Sequence, residues 1–315
     1  MKAIGTSSSG GGTICNIIRR SLVSIAAETT TEAVMTEEIP VISRKKSLLL
    51  DGNNTLYHYY DPLSTIEHDG VKIGAVDGMM QLLRRMDKTH APEHISVVFD
   101  SRQRLTTRKI LEPSYKSGRA PTPRSLLPQF AYAKKVLETA KVNCIECPGQ
   151  EADDIIASYS TQFTAAGFDV LLISNDNDFL QLVESGDTAD VSTVAAPKVE
   201  LYQPSKRRYV RERNVRGRFG LHPKLLPDFH ALCGHQWKKL PRVENLANEV
   251  AVQLLTQYGG LHPLLRQLDE VTDPILCNTL KRCITSIESS YRMVKLVDSV
   301  ALPVAIKELQ KPQLN

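Results

Sequence analysis

Apolar and polar positions along this chain follow two periods. Short, unbroken apolar runs at Ser47–Leu50, Ile95–Phe99 and Asp169–Ile173 read as strands buried on both faces, which is how strands of a parallel sheet look. Between them the spacing changes to a helical one. A helix is predicted from about Gly74 to Arg85, with Val76, Met79, Met80, Leu82 and Leu83 inward. A second runs near Leu126–Thr139, with Leu127, Phe130, Ala133, Val136 and Leu137 as its buried stripe, and a third begins near Glu151 with Ile155, Ile156 and Tyr159 on one side. Lys198–Tyr202 and Arg208–Val210 have the length of a small hairpin. From Arg211 to the end the periodicity is helical, broken by Pro and Gly. Alternating strands and helices followed by helices alone predict an α/β fold with a helical C-terminal part.

The strand ends carry the chemistry. Asp51 follows the first run and Asp100 the second; Asp176 and Asp178 lie just past the third. Glu151, Asp153 and Asp154 open the acidic helix, where carboxylates suit the positive end of the helix dipole. Open α/β sheets bind ligands outside the carboxyl ends of their strands. Acids gathered there repel one another, and a hard, oxygen-seeking ion such as Mg²⁺ or Mn²⁺ is the simplest cation to offset them. The plainer alternative is a solvated helix start and an acidic turn.

Charge is distributed unevenly. The net charge of +4 conceals two basic segments. Residues 102–124 hold Arg102, Arg104, Arg108, Lys109, Lys116, Arg119 and Arg124 against Glu112 alone. Residues 206–218 hold Lys206, Arg207, Arg208, Arg211, Arg213, Arg216 and Arg218 against Glu212 alone. Two basic stretches around an acidic cluster suit a polyanion held beside a metal site, with Arg102, Arg104, Lys206, Arg207 and Arg208 as candidate phosphate contacts. The six cysteines are scattered, which argues against a disulfide scaffold, and the single CxxC, Cys144 to Cys147, has no second pair at zinc-site spacing. Residues 1–46 are rich in Ser, Thr, Gly and Ala, with Lys2, Arg19 and Arg20 and no acid before Glu28. They resemble an organelle transit peptide, with a disordered tail as the alternative, so a mitochondrial or other organelle matrix is expected. No apolar run approaches membrane-spanning length.

Specific motifs add to this picture. Leu50-Asp51-Gly52, Phe99-Asp100, the run Tyr115-Lys116-Ser117-Gly118-Arg119-Ala120-Pro121-Thr122-Pro123, the run Pro148-Gly149-Gln150-Glu151-Ala152-Asp153-Asp154, and Asp176-Asn177-Asp178 occur in this order over roughly residues 47–270. In these residues the chain resembles the 5′-nuclease superfamily, specifically the 5′→3′ exonuclease domain of bacterial DNA polymerase I and its flap-endonuclease relatives. The resemblance implies a PIN-like parallel sheet flanked by helices over 47–205, with a basic helical arch, and a helical C-terminal subdomain over 206–315. It implies a metal-dependent structure-specific 5′→3′ exonuclease or flap endonuclease, acting on branched or 5′-ended DNA, with RNA as a further substrate class. Asp51, Asp100, Glu151, Asp153, Asp154, Asp176 and Asp178 match the family's metal-binding carboxylates. Arg108, Lys116 and Arg119 match arch residues that face the scissile phosphate, and Tyr115 is placed to stack on an unpaired base.

One stretch departs from the family pattern. After Phe229-His230-Ala231-Leu232-Cys233-Gly234 the family has two acids, for which this chain has His235 and Lys238. Arg242-Val243-Glu244-Asn245-Leu246 lacks the glycines of a helix-hairpin-helix turn. A degenerate second metal pocket is therefore expected, with Lys238 placing its ammonium where a second ion would sit. The alternative function is that of a catalytically impaired homologue that binds nucleic acid or acts as a scaffold.

Overall fold

The computed structural model describes residues 44–101, 107–113, 115–186 and 196–314. In chain order, β1 (Lys46–Asp51) leads into α1 (Gly52–Tyr59), a two-residue ribbon of β2 (Glu67–His68) and β3 (Val71–Lys72), α2 (Gly74–His90) and β4 (His94–Phe99). The short α3 (Thr107–Leu111), α4 (Leu127–Thr139), β5 (Asn143–Glu146), α5 (Ala152–Ala165) and β6 (Asp169–Ile173) follow. Then come β7 (Val199–Gln203) and β8 (Arg208–Val210). The helices α6 (Glu212–Phe219), α7 (Leu226–Cys233), α8 (Asn248–Tyr258), α9 (Leu261–Arg266) and α10 (Pro274–Val294) complete the regular elements.

The main sheet has the order β5-β4-β1-β6-β7-β8 and is parallel except for β8. Its centre is β1, which pairs with β4 on one side and β6 on the other, so the strand order reverses at β1. That reversal opens a crevice at the carboxyl ends of β1, β4 and β6. Alternation along β1 sends Leu49 to one face and Leu48 and Leu50 to the other, and both faces are covered. On the first face α5 contributes Ile155, Ile156, Tyr159 and Phe163; on the second, α2 contributes Val76, Met79 and Leu83 and α4 contributes Ala133 and Leu137. A third apolar cluster, including Leu232, Leu255, Leu264 and Leu280, joins α7 to α10.

Three features differ from the sequence expectation. α1 has no apolar stripe to announce it; it forms because the Asp51 side chain caps it, accepting from the Asn54 backbone N–H at 2.9 Å, while Leu56 enters the core. A Cβ at Gly52 would stand 2.6 Å from the Phe99 ring, so only glycine lets the helix start this close to β4. The hairpin is not a separate ribbon: β7 pairs in parallel with β6, so the hairpin extends the main sheet. Helix also does not continue to the end of the chain. Beyond Val294 the backbone runs back over the first apolar cluster, where Leu296, Leu302, Val304 and Leu309 pack, and the Val304 carbonyl accepts from the Tyr159 hydroxyl at 2.8 Å. The expected transit peptide and the candidate contacts Arg102 and Arg104 lie outside the described residues. Among the described residues, no helix is long and apolar enough to cross a membrane.

Candidate active site

The sheet brings the expected acids to one edge. Asp51 ends β1, Asp100 follows β4, and Asp176 caps the 3₁₀ turn Asn177–Leu182 just after β6, its side chain accepting from the Asp178 N–H at 2.9 Å. Two asparagines of α1 stitch the three strand ends together: Asn53 accepts from the Asp100 N–H at 3.1 Å and Asn54 from the Asn175 N–H at 3.0 Å. Asp100 in turn accepts from the Ala152 N–H at 2.9 Å, which anchors the start of α5 and its acids to the same edge. Ser174 donates to Asp51 at 3.0 Å. Asn53, Asn54 and Ser174 were not singled out from sequence, and their only signal is that each stands within three residues of an edge acid.

Three of the seven acids are already neutralised by the protein's own cations. Arg108, on α3, grips Asp154 in a two-pronged ion pair at 2.7 and 2.8 Å and reaches Glu151 at 2.7 Å. It also donates to the Lys295 carbonyl at 2.9 Å, so α3, α5 and the C-terminal segment meet on one guanidinium. Lys116 contacts Glu151 at 3.0 Å. Burial alone would raise Glu151, but Lys116 and Arg108 outweigh it and hold its carboxyl below the usual carboxylate range. Lys238 contacts Asp178 at 2.6 Å. These placements revise two expectations. Arg108 is 4% exposed and its two terminal nitrogens are taken up by Glu151, Asp154 and the Lys295 carbonyl, so in this structure it clamps protein to protein and does not face an open phosphate site. Asp154 points into that clamp and also accepts from the Val297 N–H, so both of its oxygens are engaged within the protein.

Asp51, Asp100, Asp153 and Asp176 remain, and none of them has an ion pair among the described residues. Burial and repulsion from Asp100 and Asp176 push Asp51 up to about 7 against the opposing hydrogen bonds from Asn54 and Ser174. Burial and repulsion from Asp51 and Asp176 raise Asp153 well above the ordinary range, and burial with Asp178 raises Asp176. Among the described residues no three His, Cys, Asp or Glu side chains already form a metal cage. The donor set nevertheless fits a hard divalent ion, being oxygen-only, clustered and mutually repulsive, so that a cation relieves the repulsion that lifts Asp51, Asp153 and Asp176.

The other candidates sit around this centre. Tyr115 is half-buried, 3.4 Å from Glu151, and burial pushes its hydroxyl up to about 12; Arg119 is exposed beyond it. In the second basic segment Lys206, Arg207 and Arg208 are exposed, whereas Arg211 is paired with Glu200 and Arg216 with Glu212. Arg208, Arg213 and Arg218 line a cleft of about 380 Å³ whose wall includes Asn177, the residue between Asp176 and Asp178. His235 lies at 4.7 Å from His230 ring to ring, and burial together with His235 pushes His230 down to about 4. Asn245 takes up a left-handed φ of 57°, a conformation that favours glycine, in the stretch where the family's glycines are missing.

Comparison with known proteins decides the family. The model of the 5′-3′ exonuclease N-terminal resolvase-like domain matches residues 46–220, and that of the 5′-3′ exonuclease C-terminal SAM fold matches residues 221–315. The chain belongs to the 5′-3′ exonuclease family. It is 32% identical over 271 residues to DNA polymerase I of Rhizobium leguminosarum, which covers 83% of this chain but 25% of that protein. The chain thus spans about a quarter of that polymerase's length. A 5′-3′ exonuclease of Aquifex aeolicus is 29% identical over 276 residues, covering 86% of this chain and 89% of the relative. Among solved structures, bacteriophage T5 5′-exonuclease with bound divalent zinc ions and T5 flap endonuclease in complex with DNA and metal ions each superpose with a TM-score of 0.62 at 18% identity. Each comparison covers 80% of this chain and 90% of that chain, and at this identity it establishes the shared 5′-nuclease fold.

Proposed function

We propose that this chain is a metal-dependent 5′→3′ exonuclease or flap endonuclease that hydrolyses phosphodiesters of branched or 5′-ended DNA. The observation that carries this reading is the set of four carboxylates that have no ion pair among the described residues, Asp51, Asp100, Asp153 and Asp176, beside a half-buried Lys116 and the Arg-lined cleft. These four residues would hold Mg²⁺ or Mn²⁺, whose chemistry is to acidify water and offset charge on the phosphate. Asn54 and Ser174 orient Asp51 for that task, and the Ala152 N–H orients Asp100. Lys116 and Arg119 would offset charge developing on the scissile phosphate, and Tyr115 would offer a ring to an unpaired base. The family supports hydrolysis, and the T5 neighbour bound to DNA supports the substrate class.

A second reading, a homologue that binds nucleic acid without cleaving it, is favoured by one observation, the contact of Lys238 with Asp178. Cleavage of labelled 5′-flap, nicked and single-stranded DNA with Mg²⁺ or Mn²⁺ separates the two. Cleavage of any of the three establishes the enzyme; binding without cleavage establishes the alternative.

The basic cleft makes a separate prediction. Binding to a 5′-flap substrate in chelator should weaken steeply with salt, because phosphate contacts release counterions. Arg208→Ala or Arg213→Ala should each flatten the slope of log affinity against log salt by about one unit. Slopes unchanged in both variants would remove this cleft from the DNA interface.

A further inference from the structure

We propose that Lys238 is a built-in cation that closes one end of the carboxylate cluster, so that the site takes a single divalent ion; this rests on the metal reading above. The ammonium is 2.6 Å from Asp178, and the two side chains are 13% and 16% exposed. It is held from a second side by the Met293 carbonyl at 3.2 Å. Met293 lies in the last turn of the 21-residue α10, where unpaired carbonyls and the helix dipole favour a positive charge. The lysine arrives on a braced turn. His235 and Leu240 form a β-bridge across it, the His235 ring accepts from the Lys238 N–H at 3.3 Å, and Lys239 adopts a left-handed φ of 55° to complete it.

Two consequences follow. A divalent ion at Asp178 would have to displace an ammonium that already satisfies the carboxylate and is itself anchored to α10. An ion among Asp51, Asp100, Asp153 and Asp176 meets no such obstacle. Lys238 therefore acts as a positioning residue: it supplies a fixed single charge at the Asp178 end and confines the exchangeable ion to the other.

The test is the stoichiometry of Mn²⁺ binding to the full chain, by calorimetry with Mn²⁺ alone. The unmodified protein should take one ion. Lys238→Met, which keeps the apolar stem and removes the charge, should take two, the second at least ten-fold weaker; Lys238→Arg should stay at one. Asp178→Asn should also remain at one, with affinity within about three-fold, and it keeps the idea testable if Lys238→Met fails to fold. Two ions in the unmodified protein, one ion in a folded Lys238→Met, or loss of the ion in Asp178→Asn would each overturn the inference alone. No ion in the unmodified protein would sink the metal reading of the cluster as well.

The same turn supports an independent inference. Trp237 is the chain's single tryptophan and is 91% exposed, beside Lys238 and the exposed Lys239. An uncovered indole on the turn that carries Lys238 to the acidic cluster, with the exposed Lys239 two residues on, has the chemistry of a stacking platform for an unpaired base beside phosphates. The geometry assigns Trp237 to stacking on the single-stranded part of the substrate. Its emission is the chain's only indole signal, so oligothymidylate should quench it and fully paired duplex should not. Trp237→Ala should weaken single-strand binding about ten-fold and Trp237→Phe less. Unquenched emission on saturation, or unchanged affinity in the alanine variant, would overturn the assignment.

Discussion

Replacing Arg108 with alanine is expected to lower the free energy of unfolding by about 3–5 kcal/mol, the usual consequence of removing one partner of a buried ion pair. The guanidinium side chain is 5% exposed and holds two carboxylates whose side chains are 6% and 8% exposed. Without it, Glu151 and Asp154 stay buried with less compensation than they need, and the Lys295 carbonyl loses its donor. The effect should appear as a lower midpoint in urea or heat. Arg119→Ala, exposed on the same basic run, should stay within about 0.5 kcal/mol of the unmodified protein, as substitutions away from such networks do. Replacing Arg108 and Asp154 together by apolar residues should recover part of the loss, because Asp154 then leaves no buried charge and Glu151 keeps its pair with Lys116. An alanine variant as stable as the original but slow in cleavage would restore Arg108 to the substrate-facing role that its sequence position suggests.

Asp153→Ala should separate activity from stability in opposite directions. Cleavage should fall on the order of 10³-fold or more, as when one member of a catalytic unit is removed. In chelator at pH 7–8 the same variant should melt higher than the unmodified protein. The sign follows from linkage: an acid whose pKa is raised on folding binds its proton more tightly in the folded state, so stability falls as pH rises from the unfolded value through the folded one. Burial and the repulsion of Asp51 and Asp176 raise Asp153, and Asp51 itself is raised from 3.8 to about 7, so the window opens above about pH 4 and is complete above the folded values. The melting advantage of Asp153→Ala should accordingly vanish near pH 4 and grow toward pH 8. Adding Mn²⁺ should stabilise the unmodified protein and leave the variant nearly unmoved. A variant that melts lower at every pH would mean that Asp153 serves packing and not ion binding.

Sequence by itself determined the central strands of the sheet and where their chemistry lies. β6 was legible to the residue and β4 to within one, because an unbroken apolar run is a local property of the chain and has few other uses. Placing Asp51, Asp100 and Asp176 at one edge then followed from parallel pairing alone. What tertiary structure decided is which acids remain without a partner. Arg108 is 46 residues from Asp154 and 43 from Glu151, and Lys238 meets Asp178 only because α10 and the turn after α7 fold against the 3₁₀ turn that follows β6. Periodicity reports the face a residue occupies; it carries no information about which distant side chain shares that face. The seven acids therefore look alike in sequence, while in the fold three pair with cations brought in from elsewhere and four have no ion pair among the described residues. The same reason hid α1, whose start depends on Gly52 lying against the Phe99 ring, and the C-terminal segment, whose few apolar residues acquire a role only on the surface that α5 presents to them.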